Sequence, residues 1–189
     1  MRHRIFIAIN LPEEIKKKLI KFQSKWPDLP VRWTKKDNLH ITLIFLGYLG
    51  DEELPEICKI TKEVAQKHQS FSINLNKVCY GPPKKPSRMI WAEGKKSFEL
   101  GKLQKDLENY FFSSSIKISK EPEARPYSTH ITLARIKMWE FKQIEPEERP
   151  EINEEISLTF EVNSIEIMES QLKKGGAEYI VLESAPLKT

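Results

Sequence analysis

His40-Ile41-Thr42-Leu43 and His130-Ile131-Thr132-Leu133 are the same tetrapeptide, occurring twice in a chain of 189 residues. The copies stand 130 − 40 = 90 residues apart, close to half the chain. They use two of its four histidines, the others being His3 and His68. Each copy lies in a run of strand formers, Leu39 to Leu46 and Thr129 to Ile136. On a strand, alternate residues share a face. One face of each copy then offers an imidazole and a hydroxyl. Ile41/Leu43 and Ile131/Leu133 anchor the opposite face in a core. The repeat predicts two halves whose motif strands meet across a cleft.

Outward from the first copy, Arg4 to Asn10 is a short apolar run read as a buried strand. Pro12, Glu13 and Glu14 open a helix, with Ile15, Leu19, Phe22 and Trp26 on one face and Pro27 and Pro30 as its stop. Val31 to Thr34 reads as a short strand. Gly47 and Gly50 end the motif strand, and Asp51 is expected to cap a helix reaching about Lys67. Phe71 to Tyr80 alternates at period two, a half-buried strand. Gly81 to Pro86 is a loop, because three prolines do not fit a central sheet. Arg88 to Glu93 is a strand, and Ser97 to Phe112 a helix with Phe98, Leu103, Leu107 and Phe111 on its apolar side. Residues 139–155 read as an acidic connector. Ile156 to Val162, Ser164 to Leu172 and Ala177 to Ser184 are three closing strands, the last two joined at Gly175-Gly176. The pattern is α+β, antiparallel, with about nine strands and three helices, and is expected to form a single domain over 1–189.

Composition sets the outer limits. With 39% apolar residues the chain can bury a sizeable core. Its longest uninterrupted apolar run, Ile5 to Ile9, is far short of the roughly 20 residues of a membrane span and too short for a secretory core segment. Cys58 and Cys79 are too few for a disulfide framework and lack metal-ligand spacing, so a reduced, cytoplasmic setting is expected. Basic residues number 31 and acidic ones 27, a net charge of +4. The charge is uneven: residues 77–105 hold eight basic and two acidic side chains, residues 13–25 five lysines and two glutamates, and residues 140–155 seven glutamates and two basic residues. Either the basic segments face an anionic partner or they are solvated surface.

The repeat carries the chemistry. A single His-x-Thr on an apolar strand is ordinarily a packed histidine, but two identical copies point to a shared site. In-line displacement at phosphorus needs a base and an acid on opposite sides, and imidazoles titrating near 6.5 serve as either. Hydroxyls steady the non-bridging oxygens as charge spreads over them. With no Cys or carboxylate at ligand spacing, neither a metal nor another cofactor is expected. His3 and His68 read as surface residues.

The paired motifs, the opening Arg4 to Pro12 segment, the Asn38 to Gly47 and His130 to Arg135 blocks and the closing Ser170 to Tyr179 segment together resemble the two-histidine phosphoesterases. Within them they are most similar to the bacterial and archaeal RNA 2′,3′-cyclic phosphodiesterases, also called 2′-5′ RNA ligases. The resemblance implies a bilobed, pseudo-two-fold fold of two antiparallel sheets backed by helices, with both motifs in a central cleft. It implies hydrolysis of RNA 2′,3′-cyclic phosphate to a 2′-phosphomonoester, His40 acting as proton donor and His130 as proton acceptor. Thr42, Thr132 and Arg135 would bind substrate. Thr129 stands where relatives often have proline, which removes no chemical group. Arg135, five residues from His130, falls on the wrong face of a regular strand, so either a bulge intervenes or its role is structural. The partners implied are RNA ends or 2′,3′-cyclic nucleotides and tRNA halves, with no membrane and a monomeric protein. Two other functions stay open: physiological 2′-5′ ligation, and non-catalytic binding of RNA ends with Trp33, Phe45 or Tyr127 stacking a base.

Overall fold

The computed structural model describes residues 2–83, 86–118 and 127–189. It holds two antiparallel sheets. In the first, the order is β3 (His40–Gly50), β1 (Arg2–Asn10), β8 (Ser164–Lys173), β9 (Gly176–Pro186). In the second it is β2 (Val31–Trp33), β6 (His130–Ile136), β5 (Met89–Gly94), β4 (Phe71–Gly81), β7 (Asn153–Val162). The first motif therefore lies on an edge strand of one sheet and the second on the penultimate strand of the other, and β3 and β6 run beside each other where the sheets meet. Helices α1 (Glu13–Ile20), α2 (Leu54–Ala65) and α3 (Phe98–Ser113) back the sheets. A five-residue α4 (Met138–Lys142) follows β6.

One apolar cluster joins the two sheets. Ile5, Ile7, Ile9, Ile41 and Leu43 come from the first, Val78, Ile90, Ala92, Ile131 and Leu133 from the second, with Ile57, Val64, Leu103, Leu107 and Phe111 from the helices. Alternation along β1 sends Phe6 and Ala8 to the opposite face, where they meet Met168 and Tyr179.

Several elements differ from the sequence expectation, each for a local reason. The first helix tightens at Lys21–Ser24 into a 3₁₀ turn, so Phe22 and Trp26 leave its α-helical face and stack on each other, with ring centroids 6.3 Å apart. Gly47 does not end the motif strand: at φ 100° it carries the chain through a bulge and β3 continues to Gly50. Asp51 caps nothing. The Gly50 N–H donates to Glu53 Oε2 at 2.8 Å, Asp51–Glu53 is a 3₁₀ turn, and the α-helix starts at Leu54. Phe98 is 81% exposed, because Ser97 caps α3 one residue earlier and aims that first position outward. The acidic connector contains α4, and β7 begins within it at Asn153, paired with Cys79. The closing hairpin turns at Lys174 and Gly175, with Gly176 already paired to Lys173.

Of the two remaining histidines, His3 lies at the surface as expected and His68 does not. His68 is buried, its Nε2 2.9 Å from Asp106 Oδ2 on α3. His3 lies between Glu169 (2.6 Å from Nδ1) and Asp51 (2.7 Å from Nε2), and these two carboxylates hold its pKa above the ordinary value. Lys84 and Lys85, from the proline-rich loop, lie outside the described residues.

Gly81 is fixed by a close approach. A Cβ there would stand 2.1 Å from Cδ2 of the buried Trp91 ring on the neighbouring strand. Gly81→Ala is expected to destabilise the fold by about 1–3 kcal/mol, read as a lower unfolding midpoint; an unchanged midpoint would show that the ring yields freely.

Candidate active site

The motif strands share more than four residues. His40 to Leu46 and His130 to Ile136 have the same order of half-buried, buried and exposed positions, residue for residue. The cause is a bulge at the same place in each. On β3, Thr42 pairs with Ala8 and Ile44 with Ile7, which leaves Leu43 as the extra residue. On β6, Thr132 pairs with Trp91 and Ala134 with Ile90, which leaves Leu133. Two successive side chains enter the core, and the next one swings back to the histidine face. That next residue is Phe45 in one lobe and Arg135 in the other. The bulge thus puts Arg135 on the face of His130 and Thr132. The Met89 thioether lies 3.8 Å from Thr132 Oγ1 and 3.7 Å from Arg135 Nη1.

Both imidazoles are held alike. His40 Nδ1 lies 2.7 Å from the Asn38 carbonyl oxygen, and His130 Nδ1 2.8 Å from that of Ser128. A carbonyl only accepts, so each Nδ1 carries a proton and each Nε2 is the basic atom in the neutral ring. Thr42 Oγ1 donates to His40 Nε2 at 2.8 Å. Asn38 is fixed in turn by β9, donating from Nδ2 to the Ala177 carbonyl at 2.6 Å and accepting the Tyr179 N–H at 3.2 Å.

Two hydroxyls satisfy motif carbonyls, one reaching across the lobes and one within the second sheet. Tyr127, leading into the second motif, donates to the Thr42 carbonyl of the first at 2.5 Å. Thr34, leading into the first motif, donates to the Thr132 carbonyl of the second at 2.9 Å. Burial lifts the Tyr127 phenol above its ordinary pKa, which keeps it protonated as a donor.

The sequence profile of the LigT-like phosphoesterases matches residues 9–91. An RNA 2′,3′-cyclic phosphodiesterase of Methanocaldococcus jannaschii is 30% identical over 181 residues, 95% of this chain and 98% of the relative. A structure from Thermus thermophilus superposes with a TM-score of 0.81 at 28% identity, covering 98% of each chain. Escherichia coli LigT in complex with 3′-AMP gives 0.79 at 25% identity, covering both chains completely. The chain belongs to the LigT-like phosphoesterases. It is an enzyme of the two-histidine superfamily, with the α+β fold of two antiparallel sheets that this family shares.

In this phosphoesterase the two histidines differ in surroundings, though not in sequence. Trp91 lies face-on under His130, with centroids 4.0 Å apart and planes at 23°. His40 is instead set among ring edges, Phe6 and Tyr179 each 5.1 Å away at 41° and 83°. Its pKa falls from 6.5 to about 4, chiefly through lost hydration. The bond to Asn38 acts the other way, and the positive charges of Lys16, His130 and Arg135 add to the fall. Those charges place the second motif in electrostatic reach of the first.

Around the motifs stand residues that the sequence did not single out. Lys16 is buried in α1 with its charge toward His40. Its neighbours Ile15 and Leu19 mark the buried face, and nothing in a run of lysines sets Lys16 apart from Lys17 or Lys18. Thr34 and Asn38 bond with backbone groups of distant segments, which leave no trace in composition. Of the aromatics expected to stack a base, Phe45 is exposed, Trp33 packs against the core, and Tyr127 is tied to Thr42. Among the described residues, no group of three or more His, Cys, Asp or Glu is placed to hold a metal ion, and no helix is long and apolar enough to cross a membrane. A surface concavity of about 770 Å³, between the start of β4 and α3, shares no residue with either motif.

Holding His40 neutral ties the fold to pH. Below 6.5 the unfolded chain protonates this imidazole while the native state does so only near 4. The native state thus binds fewer protons in this window and loses stability as pH falls through it. The loss attributable to His40 is about 3 kcal/mol at most. Denaturant unfolding of wild type and His40→Gln between pH 7 and 4 is expected to show the smaller acid loss in the variant; parallel curves would remove His40 as the cause. Tyr127→Phe deletes a buried donor to Thr42 and is expected to cost about 1–3 kcal/mol in the same measurement.

Proposed function

We propose that the protein hydrolyses RNA ends carrying a 2′,3′-cyclic phosphate to 2′-phosphomonoesters, with His40 as proton donor, His130 as proton acceptor and no metal. The observation that carries this is the matched pair of bulged strands, each presenting an imidazole with Nδ1 fixed to a backbone carbonyl, which makes Nε2 the basic atom of both rings.

The environments suit opposite tasks. The face of Trp91 favours a positive charge on His130, as cation–π contact does, so this ring gains as it takes a proton from the attacking water. The environment of His40 disfavours its charge, so a proton placed there is readily given up. An anionic phosphate bound between Lys16, Arg135 and the two threonines opposes the desolvation of His40 and lets Nε2 take up that proton. Water attacks phosphorus opposite the 3′ oxygen and His130 receives its proton. The bond from phosphorus to the 3′ oxygen breaks, and His40 protonates the departing oxygen. Thr42 and Thr132 donate to the non-bridging oxygens, with Arg135 offsetting their charge. Residues from near the start of the chain to Tyr179 build this site, so 1–189 works as a single two-lobed unit.

Adenosine 2′,3′-cyclic phosphate incubated with the protein in EDTA is expected to yield adenosine 2′-phosphate. A predominantly 3′-phosphate product, or activity abolished by EDTA, would overturn the reading. His40→Ala and His130→Ala are each expected to lower turnover by about 10² to 10⁴. An aryl phosphodiester whose leaving group needs no proton is expected to restore turnover to His40→Ala only, and restoration of His130→Ala instead would exchange the two roles. In an NMR titration His40 is expected to have its midpoint near 4 in the free protein and a higher one with adenosine 2′-phosphate bound; an unmoved midpoint would remove phosphate as the source of its proton affinity.

A further inference from the structure

Arg135 has a neighbour of the same charge. In the antiparallel pairing of β2 with β6, Arg32 stands directly opposite Arg135. Opposed residues share a face, and like charges so placed destabilise a sheet. Val31 and Trp33, on either side of Arg32, pack against the core, so Arg32 points to the other face, that of His130 and Thr132. Both arginines are exposed, and among the described residues neither has an ion-pair partner: the contact of Arg135 is the Met89 thioether. Two guanidiniums side by side on one face, with no ion-pair partner among the described residues, suit an anion.

The position of the pair along the strand selects the anion. Arg32, Arg135 and Met89 form one row across β2, β6 and β5, and Thr132 and Trp91 lie in the adjacent row toward His130. With Leu133 absorbed by the bulge, the rows are two residues of strand apart, about 7 Å. In the other lobe the matching row is Phe6 and Phe45, which offers no charge. An anion beyond the reacting phosphate is therefore favoured on one side only, which orients the ligand.

We infer that Arg32, together with Arg135, forms a second phosphate site. It takes a phosphate esterified at the 5′ oxygen of the terminal nucleoside while the histidine face holds the reacting group. The inference rests on the reading above for what occupies the histidine face. A 5′-phosphate of this kind has two sources: the linkage to the preceding nucleotide in an RNA strand, or the free 5′-phosphate of a mononucleotide. Arg135 serves both groups, and Arg32 distinguishes a substrate that carries the second phosphate from one that does not.

The test is calorimetric binding of three ligands: adenosine 3′-phosphate, adenosine 3′,5′-bisphosphate, and the dinucleotide ApA bearing a 3′-phosphate. Wild type is expected to bind the bisphosphate at least tenfold more tightly than the monophosphate, as befits one charge-assisted contact. An equal gain with the dinucleotide identifies the strand linkage as the source, and a gain with the bisphosphate alone identifies a free 5′-phosphate. Arg32→Gln is expected to abolish the gain, to keep monophosphate affinity within about twofold, and to leave the unfolding midpoint no lower, since it relieves a like-charge pair. The slope of log affinity against log salt for the dinucleotide should fall by about 0.7. No gain in wild type, a gain that survives in Arg32→Gln, or equal weakening of all three ligands would overturn the proposal. Hydrolysis of adenosine 2′,3′-cyclic phosphate by wild type is measured alongside. Its failure with the selectivity intact would remove the catalytic reading and leave the second phosphate site supported.

Discussion

The first motif of this phosphoesterase is completed by a hydroxyl from the opposite lobe. Bulging Leu43 and Leu133 out of register disturbs the ladder beside each motif, and a buried carbonyl left unpaired there is costly. Two hydroxyls resolve this: Tyr127 supplies the Thr42 carbonyl and Thr34 the Thr132 carbonyl. Each donor comes from the segment that leads into the other motif. The Tyr127 bond and the shared apolar core thereby fix the two motif faces against each other, and the bulge of β3 is stabilised from the opposite lobe while that of β6 is stabilised by the continuation of β2.

The repeat, its faces and its anchoring residues were legible in the sequence because they follow from period-two alternation within one strand. The continuation of the repeat was not, since a bulge is a relation between two strands. Nothing in Leu133-Ala134 shows that the neighbour supplies one residue against two, and so the face of Arg135 stayed undecided until the register was seen. The bulge also shows why Phe45 and Arg135, unlike in chemistry, are equivalent in position. His68 escaped for a different reason. Its burial is made by Asp106, 38 residues later, and polar neighbours in sequence conceal a polar partner in space. Arg32 could have been noticed, because an arginine between Val31 and Trp33 on a strand faces away from the core. Lys16 could not: on a helix, the residue following a buried isoleucine carries no mark of its surroundings.

Two identical tetrapeptides stand in two different surroundings. Flat contact with an indole stabilises an imidazolium, whereas crowding by ring edges chiefly removes water from it. Trp91 and Phe6, the residues responsible, occupy the strands that pair with the two motifs, one step away from the chemistry. The asymmetry between the two rings lies in those neighbours. The motif residues themselves were left alike.

The position of β3 at the margin of its sheet has a further consequence. An exposed strand margin is a template on which a foreign chain can add itself. On β3 that margin faces β6 and accepts the Tyr127 hydroxyl, so a catalytic strand is shielded from recruitment into another molecule's sheet. The opposite margin is β9, where Ile180, Val181 and Leu182 are each at least 40% exposed in succession. Glu178 and Glu183 flank them, paired with Lys35 and Lys62. These charged pairs act as gatekeepers on the margin of the sheet opposite the first motif strand.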